Sequence, residues 1–104
     1  MNIPSMKKPA DALAAVEAEI REEMASSLGR VGRVIDEQLA EMARLVAELP
    51  EVVEEAREAH VAAYNRARAK AEEYLFYLMV QREAMGLRSH DGVERMYRIP
   101  PPLR

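Results

Sequence analysis

The side chains best equipped for chemistry in this sequence are its two histidines, His60 and His90, and neither has the neighbours a reaction would need. A carboxylate-bridged metal pair inside a helical bundle uses Glu-x-x-His, because side chains three apart on a helix converge on one ion. Three residues before His60 stands Arg57, and Glu54, Glu55 and Glu58 spread around the charged side of the same helix. His60 would be a metal or haem ligand if a residue such as Met42 reached it from across the chain. The plainer expectation is a half-buried histidine bonded to a carbonyl or an acid. Ser89-His90-Asp91 holds the residue types of a hydrolytic triad, but neighbours on a tight turn cannot align nucleophile, base and orienting acid. Capping of a short helix is the expected role, with Asp91 and Glu94 at capping-box spacing. There is no cysteine, which removes disulfides, thiolate metal sites and thiol nucleophiles. With no convergent set of titratable groups, the expectation is a protein that is not an enzyme and holds no cofactor.

The remaining candidates concern binding. Arg66 and Lys70 share a helix face, but Arg68 lies nearly opposite and Glu72 and Glu73 follow at once, so a basic stripe for nucleic acid is diluted. Residues 17–58 carry twelve acids against five arginines, and residues 82–104 five arginines against three acids. Such a gradient favours antiparallel or head-to-tail association over wrapping by nucleic acid. Seven methionines could line an adaptable groove, but ordinary core filling is the expected account of them.

The elements that must position these residues are helical. Alanine, glutamate, lysine, leucine and arginine supply 56 of 104 residues, a composition typical of long helices. From Leu13 the large apolar residues recur as Val16, Ile20, Met24, Leu28, Val31, Ile35, Leu39, Met42, Val46 and Leu49, at the period of an α-helix. The spacing predicts one helix over about 10–49, a turn at Pro50, and a second helix over about 51–85 that stops at Gly86. A short helix then leads into the extended tail Ile99-Pro100-Pro101-Pro102-Leu103-Arg104. The fold class is therefore all-α and the chain a single domain: an arm over 1–9, a long antiparallel hairpin over 10–86, and a short helix with proline-rich tail over 87–104.

If Pro50 is the turn, residue numbers summing to about 100 are level, which places Ser26, Gly29 and Gly32 opposite Tyr74, Ala71 and Ala67 or Arg68. Their small side chains would then allow close helix packing. Arg82 is expected to pair with Glu17, Glu19 or Glu22 of the first helix. The run Tyr74-Leu75-Phe76-Tyr77-Leu78-Met79-Val80 is apolar on every side, more than one partner helix hides. The expected covering is a second copy, giving a homodimeric four-helix bundle through Tyr74, Leu75, Phe76, Tyr77, Leu78 and Met79; the alternatives are a larger oligomer or a different protein, and the chain's own Val93, Met96, Tyr97 and Ile99 could instead fold back over part of the run. At seven residues this run is far below the ~18 that suggest a membrane span. Met1–Pro9 lacks the apolar core of a secretory signal, so the expected location is the cytoplasm.

Ala25-Ser26-Ser27-Leu28-Gly29-Arg30 and Val80-Gln81-Arg82-Glu83-Ala84-Met85-Gly86-Leu87-Arg88, with Tyr97-Arg98-Ile99-Pro100, resemble a small bacterial helical family of unknown function. The resemblance implies no activity, cofactor or catalytic residue. The expected function is that of a non-enzymatic structural or interaction protein working as a homo-oligomeric helical bundle. The alternatives are a bundle that binds a small ligand or metal, and a regulatory subunit that binds an enzyme or nucleic acid.

Overall fold

The computed structural model describes residues 9–104, all helix and connecting segments with no strand among them. Most of the expected arm, residues 1–8, lies outside the described residues. Helix α1 spans Pro9–Glu48 without a break, through both glycines, because the apolar stripe never changes phase. Pro9 suits the first turn, where its missing N–H would have had no partner. A single 3-10 turn, Leu49–Glu51, takes up Pro50, and the extended Val52 and Val53 then reverse the chain. Helix α2 covers Glu54–Ala84 and packs antiparallel on α1. It closes on Gly86, at φ +86, with Leu87 N–H bonded to the Arg82 carbonyl and Gly86 N–H to that of Glu83. That bond pair is the left-handed stop expected of the glycine. Helix α3, Asp91–Met96, lies beside the hairpin and leads into the tail.

The turn consumes more chain than a lone proline corner, so the register is shifted from the expected one. His60 meets the Leu45 carbonyl and Gln81 meets Ser27, so level residues sum to about 105–108. The expected pairing of Ser26, Gly29 and Gly32 with Tyr74, Ala71 and Ala67 is corrected accordingly. Ser26 and Gly29 lie on the exposed side of α1, and a Cβ on Gly29 would meet only the end of Arg33. Gly32 is buried, and its empty side is filled by the ring of Tyr97 from the tail rather than by α2.

The core is two clusters along the seam. Nearer the turn, Met42, Leu45, Tyr64 and Ala67 are buried, with Ile99 and Leu103 of the tail packed on them. Nearer the far end, Ile35, Leu78 and Val93 are buried beneath Tyr74, Leu75, Met79 and Tyr97. The tail is thus a third layer over the hairpin. A Cβ on Gly32 would stand 2.7 Å from the Tyr97 hydroxyl, so Gly32→Ala must push the ring out. Chemical denaturation should show Gly32→Ala losing about 1–3 kcal/mol. Tyr97→Phe in the same chain should recover most of that loss, and Gly29→Ala should cost nothing.

Candidate functional site

The residues singled out for chemistry are each held in structural roles. The His60 ring nitrogen Nε2 lies 2.7 Å from the Leu45 carbonyl, one of the last carbonyls of α1 that have no donor within their own helix. Glu48 stands 3.9 Å from the same nitrogen. Met42 is buried in the core cluster. No group of three or more histidine, cysteine, aspartate or glutamate side chains is placed to hold a metal among the described residues.

His90 sits at the cap position of α3, but neither it nor Asp91, the first helical residue, gives a side-chain capping bond, which corrects the capping-box expectation. Instead His90 Nε2 lies 2.9 Å from a Glu83 carboxylate oxygen, tying α3 to the end of α2. Arg82 does not reach Glu17, Glu19 or Glu22; its Nη2 donates to the Ser89 carbonyl at 3.0 Å and braces the same turn. The acids named as its partners lie around and beyond the level where α2 ends, which the register shift explains.

The tail is fastened by a constellation that the sequence reading did not single out. Three prolines leave their carbonyls without N–H groups of their own to build a ladder, so donors must come from elsewhere. Tyr64, Asn65 and Arg68 supply them from one face of α2. The Tyr64 hydroxyl donates to the Pro101 carbonyl at 2.9 Å, and Arg68 Nε donates to that of Pro100 at 2.8 Å. Asn65 grips Leu103 twice, donating to its carbonyl at 2.9 Å and accepting from its N–H at 3.0 Å. A polar Asn65 beside Tyr64 on a helix face that otherwise buries alanine was the available signal. Arg68, weighed for phosphate binding, is occupied here and by Glu72 at 3.0 Å. Lys70 stands over the Tyr74 ring, 5.9 Å from its centre.

Two apolar clefts flank the tail. One of about 590 Å³ runs between α1 and the prolines, lined by Leu39, Met42, Val46, Tyr64 and Leu103. The other, of about 570 Å³, lies between the tail and α2, lined by Leu75, Phe76, Met79, Tyr97 and Ile99.

The apolar run of α2 is divided by this arrangement. Leu78 is buried inside the chain, and Tyr74, Leu75 and Met79 pack, like Tyr97, on the buried cluster of Ile35, Leu78 and Val93. Phe76, Tyr77 and Val80 stay 64%, 42% and 47% exposed, Phe76 and Val80 on the back of α2 turned away from α1 and Tyr77 on its flank. The Tyr77 ring packs edge-on against Tyr74, with centroids 5.4 Å apart, and its hydroxyl bonds Glu73. A second exposed patch is on α1. Every residue from 9 to 23 is exposed, and within that free segment Leu13, Val16 and Ile20 are 60%, 50% and 47% exposed. Met24 and Ala84 line one small cleft at the end of the shared seam, so α1 continues alone beyond that level.

Fold and surface together define an all-helical hairpin with a docked tail and two uncovered apolar patches. The model of a family of unknown function (DUF6665) matches residues 1–103, and the chain belongs to that family, in keeping with the resemblance read from the sequence. No curated protein and no solved structure was found to match it. No described helix is long and apolar enough to cross a membrane.

Burial, and then the nearby Asp36, raise the Tyr97 phenol above the ordinary tyrosine value of 10. A raised value means that the fold favours the neutral phenol. That contribution is complete below pH 10 and is lost as pH climbs through the higher folded value. Hydrogen exchange of residues 97–104 should therefore accelerate above pH 10, beyond its ordinary base dependence, and Tyr97→Phe should remove the excess.

Proposed function

We propose that this protein is a non-enzymatic assembly module, a helical hairpin that works by associating with further copies of itself into a helical bundle. The observation that carries this reading is the apolar stripe of α1, which runs on through Leu13, Val16 and Ile20 for a segment that none of the described residues covers. Large exposed apolar patches on a soluble chain mark interaction surfaces. Two such patches on 104 residues, with both histidines engaged structurally, favour association over catalysis. The reading places the protein in the cytoplasm of a bacterium, in keeping with its lack of cysteine and its alanine- and arginine-rich usage. Sedimentation equilibrium should give at least twice 11.8 kDa at micromolar concentration. A monodisperse species of 11.8 kDa across the accessible range would overturn the proposal.

The cleft between α1 and the prolines supports a second reading, a site for a small apolar molecule, because its lining is almost wholly aliphatic and aromatic. Native mass spectrometry of the purified protein decides it: a small molecule retained in stoichiometric amount favours this reading, and the bare polypeptide mass counts against it.

A further inference from the structure

The direction in which each uncovered patch faces specifies how two copies fit. The stripe of the free segment is the same stripe that, further along α1, buries Ile35 and Met42 at the seam with α2. Leu13, Val16 and Ile20 therefore face the line along which α2 would continue had it not stopped at Ala84. Phe76 and Val80 lie about half a turn round α2 from the buried Leu78, so they face away from α1.

We propose that a second copy, turned end for end about a two-fold axis at the tip of α2, lays its own α2 in that vacant line. The two α2 helices then stack tip to tip in the middle layer, and the two α1 helices flank them. Each free segment rests on the back of the other copy's α2, and the two directions of symmetry repeat the contact. Leu13 and Val16 come level with the Phe76–Val80 turn of the partner and Ile20 with the last turn of its α2. Both uncovered patches are consumed at once, and the exposed Leu87 meets its counterpart at the axis.

Length fits the same copy. Residues 9–23 span about 22 Å as a helix, more than the roughly two and a half turns of α2 from Phe76 to Ala84. That segment carries five acids and one arginine, Arg21. The tip of the partner, residues 82–95, carries three arginines, with Arg88 exposed, and three acids, so it adds no net negative charge against that segment. An isologous contact made of one short helix would be slight, but made twice, with the tips in contact, it approaches the size of a stable interface.

This inference rests on the self-association proposed above and is tested separately from it. In one chain Leu13 and Phe76 lie about 27 Å apart along the seam, too far for a disulfide. Because the chain has no cysteine, Leu13→Cys combined with either Phe76→Cys or Val80→Cys is a clean probe. Mild oxidation should convert one of the two double variants almost wholly to covalent dimer, while each single variant stays below one-tenth converted. Val16→Glu and Val80→Glu, both at exposed sites, should each weaken self-association at least tenfold with helicity by circular dichroism unchanged. Dimers that survive both glutamates and refuse both cross-links would overturn this arrangement and leave self-association standing. A native chain that stays monomeric would overturn both.

Discussion

Helices α1 and α2 share one apolar seam, but α1 has forty residues and α2 thirty-one, and the turn between them takes five. The stripe on α1 runs its full length, so α2 runs out while the stripe continues. An isolated helix of about 15 residues is marginal in water, so residues 9–23 remain helical by continuing a helix that is packed further along. Leu13, Val16 and Ile20 are the cost of that continuity. Already about half covered, the three together would contribute about 2–5 kcal/mol if buried, a sizeable share of the ~5–15 kcal/mol by which domains are stable.

The hairpin alone would be a poor core, because two helices in contact bury one stripe each. The tail supplies the third layer, and its proline run loses little conformational entropy on docking because it is already extended. Tyr64, Asn65 and Arg68 reach the tail through main-chain atoms of Pro100, Pro101 and Leu103, so the fastening depends on proline geometry more than on the tail's side chains. Ile99 and Leu103 add apolar contact on the core near the turn, and Tyr97 seals the far cluster by occupying the space beside Gly32. A helix interior tolerates that glycine because filling it with a Cβ would displace a whole ring.

The hairpin was legible in the sequence because it follows from periodicity: ten apolar steps from Leu13 to Leu49 fix α1, Pro50 breaks it, and Gly86 ends α2. What was not legible was everything that depends on a few residues of offset. The corner uses Val52 and Val53 as well as Pro50, and that moved the register by more than a helical turn. The expected partners of Ser26, Gly29 and Arg82 went with it. Gly32 was recognised as a place of close approach, but a short-range rule cannot say that the approaching group is Tyr97, sixty-five residues away. The anchoring of the tail was missed because Asn65 looks like any surface amide until the unpaired proline carbonyls are counted as acceptors that need donors.

Docking of the tail and the character of the remaining surface are physically coupled. With α3 and the tail in place, Leu75 and Met79 are half-buried in the cluster that holds Val93 and Tyr97, and the exposed apolar surface of α2 narrows to a strip of Phe76 and Val80 on its back and Tyr77 on its flank. That strip is one helical face wide, matching the single stripe of a free α1 segment. Without the tail, the apolar surface of α2 would widen around the helix, and a wide smooth surface accepts partners in many registers. The docked tail thus does more than fill a gap. It trims an indiscriminately apolar helix to the width that a single helix of matching pattern can cover, which is the condition for association that stops at a defined size.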